Sequence, residues 1–138
     1  DSALIAMHEE VVIGANDIRN GIILGMRNSP ATGKRYRSRG AKKKHHIASS
    51  PGNPPRPDTG NLIGSIVMDD RVHADWGFEI EVGSNITDPP YPAWLEKGTK
   101  RGIAPRPWLT PEFDANKDKI RGNVIAAMQR AAKGAFNK

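Results

Sequence analysis

Asp75-Trp76-Gly77-Phe78-Glu79-Ile80-Glu81-Val82-Gly83 is the stretch that decides the fold. Side chains on a strand alternate between two faces, so Trp76, Phe78, Ile80 and Val82 share one face, with Gly77, Glu79 and Glu81 on the other. One face must pack on an apolar neighbour, and the other meets solvent or a subunit. Just upstream, Ile66 to Arg71 reads as a second strand, and the short gap makes the two an antiparallel pair. Asp69-Asp70 then falls at a strand end, as solvated turn acids.

Helical patterns flank this pair. From Ser2 to about Asn28, Leu4, Met7, Val11, Ala15, Ile18, Ile22 and Met26 recur at three- and four-residue steps and form one apolar stripe. Gly14, Gly21 and Gly25 weaken that helix but leave room for close packing. Ser29-Pro30 ends it, because the residue before proline avoids the α region. At the other end, Thr110 as N-cap, Pro111 at the first helical position and Glu112 in the first turn open a second long helix. Phe113, Ile120, Val124, Ile125, Met128 and Ala132 mark its expected buried face. The chain of 138 residues therefore predicts one α+β domain, a small antiparallel sheet packed against long N- and C-terminal helices.

Residues 29–57 are too long for an idle connection and predict a protruding basic, proline-rich arm. Within them, Lys34 to Ser38 and His45 to Ser49 can pair as short strands across the Arg39–Lys44 turn. Pro51 to Pro57 excludes helix and central strand and predicts a stiff extended run that docks on a neighbouring subunit. Asp58-Thr59-Gly60-Asn61-Leu62 then reads as a capped start, with Asp58 or Thr59 accepting an orphan N–H of a short helix over Asn61–Ser65. Tyr91 to Lys97 predicts another short helix closed by Gly98, and Thr99 to Arg106 a further strand.

The net charge of +6 is local. Lys34, Arg35, Arg37, Arg39, Lys42, Lys43 and Lys44 are seven of the 21 cations in a segment without an acid; the remainder of the chain holds 14 cations against 15 acids. Such a segment suits DNA phosphates or an acidic protein surface. Stacking platforms for single strands use several aromatics, and Tyr36 is alone here.

Chemistry is sparse. There is no cysteine, so disulfides and thiolate metal sites are out. His45 and His46 are adjacent and point to opposite strand faces, and His8 and His73 lack a close ligand partner, so no metal site is expected. Thr32-Gly33-Lys34 fails as a phosphate loop, since Asn28 and Arg35 stand where a glycine and a hydroxyl residue are needed. No catalytic constellation and no cofactor motif is present, no apolar run approaches a membrane span, and the expectation is a soluble non-enzyme. Trp94, Arg106 and Trp108 lie in a proline-dense region and are the typical residue types of interface anchors, although core packing beneath the sheet with Leu95 is the better reading of Trp94, and Trp108 fits either role equally.

In order along the chain, these motifs resemble the neck proteins of long-tailed bacteriophages, the head–tail joining or tail-completion proteins. The resemblance runs from about residue 5 to 130 and is carried by residues in sequence. They are Ser29-Pro30, Thr32-Gly33-Lys34-Arg35-Tyr36, His46-Ile47-Ala48-Ser49-Ser50-Pro51-Gly52, Pro54-Pro55, and Asp58-Thr59-Gly60-Asn61-Leu62 with Ser65-Ile66. Val82-Gly83-Ser84-Asn85, Tyr91-Pro92-Ala93-Trp94-Leu95-Glu96, Gly98-Thr99 and Ala104-Pro105-Arg106-Pro107-Trp108-Leu109 follow. Lys97 and Ile63 depart from the residue types common in that family. A related group of virion morphogenesis proteins shares part of the pattern. The resemblance implies a structural protein of the virion, assembled in the host cytoplasm as a six- or twelve-fold ring between connector (head-completion) and tail proteins. It also implies that Pro51, Pro54, Pro55, Asp58, Thr59, Trp94, Arg106 and Trp108 meet a subunit or partner, and that the basic segment lines a DNA channel or grips the next ring.

Overall fold

A computed structural model describes residues 2–37, 45–75 and 77–136 of the chain. It is an α+β fold with the element order α1 (Ser2–Arg27), β1 (Arg35–Arg37), β2 (His45–Ile47), α2 (Asn61–Gly64), β3 (Ile66–His73), β4 (Gly77–Ser84), α3 (Tyr91–Lys97) and α4 (Thr110–Phe136). Two antiparallel strand pairs, β1–β2 and β3–β4, form separate two-stranded sheets.

Helices α1 and α4 lie side by side in opposite directions. The small residues of α1 set the approach: a β-carbon on Gly14 would fall 2.4 Å from Ile120, and one on Gly21 would fall 2.2 Å from the Glu112 carboxylate. The exposed ion pair Asp17–Lys119 (3.9 Å) and the partly exposed pair Glu10–Arg130 (3.7 Å) follow the same antiparallel register. Because α1 is its one long helical neighbour, α4 buries only a narrow stripe. Ile120 and Val124 are half-buried and Ala127 is buried, whereas Phe113, Ile125, Met128 and Ala132, expected inside, are exposed.

The β3–β4 ribbon pairs Ile66 with Ser84 at one end and His73 with Gly77 at the other. Its inner face lies on α1: Phe78 meets the His8 ring edge-on at 4.8 Å, and Val82 packs against the core. Trp76, expected beside Phe78, lies outside the described residues. Asp69-Asp70 sits inside β3 and not at its end, because pairing continues to His73. Asp70 turns inward and accepts a hydrogen bond from His8 Nε2 at 2.8 Å.

The core gathers where the elements converge near the C-terminal end of α1. Ile18, Ile22, Met26, Ile66 and Trp108 are buried together, with Ile23, Leu62, Ile63, Leu95, Leu109 and Ile120 packed around them. Leu4, the first residue of the predicted α1 stripe, is 40% exposed, Met7 and Val11 are half-buried, and the stripe is fully covered from Ala15 onward.

Thr99 to Arg106 is not a strand. Gly98 and Gly102 have φ of 74° and 114°, and Pro105 and Pro107 lack the donor a ladder requires, so the segment turns on itself, with Thr99 N–H donating to Ile103 C=O. Gly98 closes α3, its N–H donating to Trp94 C=O at 2.8 Å. Only glycine fits there: the positive φ disfavours a side chain, and a β-carbon would lie 2.8 Å from the Ile103 carbonyl oxygen.

Candidate functional site

The basic segment is anchored by a seam built from three distant parts of the chain. Strands β1 and β2 pair antiparallel, Arg35 opposite Ile47 and Arg37 opposite His45. Below them the ladder continues, Gly33 N–H donating to Ala48 C=O (2.8 Å) and Ala48 N–H to Lys34 C=O (3.0 Å). Gly33 is pressed against the opposing backbone, where a β-carbon would stand 2.3 Å from the Ser49 carbonyl oxygen. Thr32 and Ser50 join hydroxyls at 2.8 Å across the same base.

The third part arrives from the loop before α4. Arg106 Nε donates to Ser49 C=O at 3.2 Å, Gly52 N–H donates to Pro105 C=O at 2.9 Å, and Arg106 N–H donates to Leu95 C=O at 2.6 Å. Ser49 has no exposed surface, and its Oγ lacks a hydrogen-bond partner among the described residues. Beyond the seam, Lys34 and Arg35 are exposed. The side chain of Arg37 and all of Arg39, Lys42, Lys43 and Lys44 lie outside what the structure describes.

The proline run does not extend into solvent. Pro55 is buried, Ser29 Oγ donates to Pro54 C=O, and Arg56 donates to Ile47 C=O, so the run lies along its own domain. Pro51 is exposed and Pro54 half-buried. The run is therefore held on its own domain and does not stand free of it: a proline-rich segment lacks N–H donors, but its carbonyls remain free to accept bonds from this chain's own side chains. Thr59 accepts the first orphan N–H of α2, as expected of Asp58 or Thr59. Gly60, at φ 88°, occupies the cap position; Thr59 Oγ1 accepts Asn61 N–H at 3.3 Å, and Asp58 lies 4.0 Å from Nδ1 of the buried His46.

Trp108, expected to anchor a partner, is 5% exposed and belongs to the core, its indole N–H donating to Pro92 C=O at 2.9 Å. Trp94 is 39% exposed and leaves a face open to solvent. The start of α4 is held by a residue the sequence pattern missed. Glu96, on α3, accepts the N–H groups of Trp108 (2.6 Å), Leu109 (2.9 Å) and Thr110 (2.9 Å). Phe113 N–H donates to Leu109 C=O, which makes Leu109 and not Thr110 the capping position. Burial pushes the Glu96 carboxyl up, but hydrogen bonds from the Thr110 side chain and from the Leu109, Thr110 and Trp108 backbone outweigh it and hold the group below its ordinary value. The only signal was a glutamate closing a short helix a dozen residues before a proline-started one.

A surface hollow of about 420 Å³ opens between α2, the end of β4 and α3, lined by Asn61, Ser65, Asn85, Asp88 and Tyr91 among others. Its wall is tied by the Ser65 and Ser84 hydroxyls at 2.6 Å and by Asn85 N–H donating to Ser65 C=O at 3.0 Å. Burial raises the Tyr91 hydroxyl above its ordinary pKa. No group of three or more histidine and acidic residues placed to hold a metal occurs among the described residues, and no described helix is long and apolar enough to cross a membrane.

No protein-family model, curated protein or solved structure matches the chain.

Proposed function

We propose that this chain is a structural, non-enzymatic ring subunit of the neck of a long-tailed bacteriophage particle, joining the connector to the tail or completing the tail end. The observation that carries this reading is the seam. The motif residues Gly33, Ser49, Gly52, Pro105 and Arg106, separated by up to 73 positions, meet in one clamp of backbone hydrogen bonds and the Arg106 side chain at the root of the basic segment. A fixed base presenting concentrated charge is what a subunit needs to engage a neighbour or a passing DNA backbone in a set direction. The open apolar side chains Ile13 and Leu24 on α1, with Phe113, Ile125 and Met128 on α4, add surface of the kind subunit contacts cover. Negative-stain microscopy of the purified protein with connector and tail proteins of its phage tests this. Ring-shaped particles of six or twelve copies are expected; a persistent monomer that binds neither neighbour overturns it.

The seven-cation segment favours a second reading, a DNA-backbone-binding accessory protein. It requires duplex binding that weakens steeply with salt and is lost when Lys42, Lys43 and Lys44 become alanine. Binding indifferent to these changes removes it.

A further inference from the structure

Charge is divided between two stretches of the sequence. Residues 66–84 hold five of the 15 acids and one of the 21 cations, in contrast to the acid-free cationic segment 34–44. On the outer face of the ribbon, register places Asp69 opposite Glu81 and Arg71 opposite Glu79. Arg71 bridges all three acids, at 2.7 Å to Asp69, 3.3 Å to Glu79 and 3.5 Å to Glu81. Hydrogen bonding and charge from Asp69, with charge from Glu81 and Glu79, raise the guanidinium above its ordinary pKa. One cation against three acids leaves the face negative. The four side chains are 39% to 63% exposed, so the charge faces solvent. The opposite face is occupied by α1, and neither strand has a second neighbour among the described residues.

Position matters as much as sign. The acidic face lies level with His8, which contacts both Asp70 and Phe78, near the start of α1. The basic segment is rooted just past Arg27, where that helix ends. Nineteen residues of helix separate these levels, roughly 30 Å at 1.5 Å per residue. A protomer whose basic segment is rooted at one end, with an open acidic sheet face at the other, has the charge layout of a head-to-tail contact. Repetition of such a contact gives a closed ring when the rotation closes.

We infer that the outer face of the β3–β4 ribbon, at Asp69, Glu79 and Glu81, is the seat for the basic segment 34–44 of a second copy of this chain. This inference rests on the ring reading and specifies which surfaces make the ring. Charge complementarity sets the direction of association and its dependence on salt.

The test uses two full-length charge-reversed proteins, E79K/E81K and R37E/R39E/K42E/K43E/K44E, with circular dichroism confirming that each is folded. Sedimentation velocity at about 0.05 M salt, where charge screening is weak, reads self-association. Each variant alone is expected to associate at least roughly tenfold more weakly than the wild type, because its two surfaces now carry the same sign. Mixed one to one, they should recover assembly, since every contact in an alternating ring is then attractive, and six- and twelve-fold rings both accommodate alternation. Should E79K/E81K fail to fold, E79Q/E81Q replaces it, with the weakening alone as readout. If the wild type forms rings and both variants do too, the proposed contact is wrong while the ring reading stands. If the wild type itself stays monomeric, both fall.

Discussion

Glu96 and Thr110 are bound to each other across the gap between α3 and α4: the Thr110 backbone N–H donates to Glu96 Oε1 at 2.9 Å, and the Thr110 side chain bonds the same carboxylate. The other carboxylate oxygen takes the N–H groups of Trp108 and Leu109. One side chain thus satisfies the donors at the start of a 27-residue helix and fixes the loop that delivers Arg106 to the seam.

Glu96→Ala is therefore expected to lower stability by about 2 kcal/mol, since orphan helix donors lose a charged acceptor. Chemical denaturation at neutral pH measures it.

The same carboxylate gives a pH signature. Its folded-state pKa lies below its unfolded one, so its stabilisation is complete above the ordinary glutamate value of about 4.3 and disappears as pH falls through the lower folded value. The stability difference between wild type and Glu96→Gln should narrow across that acidic window. A difference that stays constant down to pH 2 would mean the carboxylate charge is not what holds α4.

Trp108→Ala should cost about 3 to 5 kcal/mol in unfolding free energy, as for large-to-small changes in a packed core. Trp94→Ala should change stability by less than about 1 kcal/mol, because Trp94 is 39% exposed. Thermal unfolding of the two variants side by side distinguishes a core tryptophan from a surface one.

Gly33→Ala drives a β-carbon into the Ser49 backbone and should destabilise the seam by about 1 to 3 kcal/mol. Limited proteolysis reports it locally, with faster cleavage within residues 34–44 than in the wild type.

Sequence periodicity exposes what repeated contacts dictate. The α1 stripe from Ala15 to Met26, the alternation of Phe78, Ile80 and Val82, and Gly98 at the end of α3 were all legible because each follows from one element's own geometry. What escaped depends on who the neighbour is. The α4 stripe looks broad in sequence, but a single packed helix covers only Ile120, Val124 and Ala127. Thr110 has the chemistry of a cap, yet Glu96 does that work from another helix. Proline content predicts that Pro51 to Pro57 is stiff, but stiffness does not specify where a segment lies, and the Pro54 carbonyl accepts Ser29 Oγ while Arg56 donates to Ile47 C=O of its own domain. The seam was visible only as separate turn motifs, since their meeting is a tertiary fact.

The most direct test of the ring reading is native mass spectrometry of the purified full chain at low ionic strength. The account predicts a single closed oligomer of six or twelve copies, dissociating as salt is raised. A monomer at every concentration, or an open series of all sizes, would contradict it.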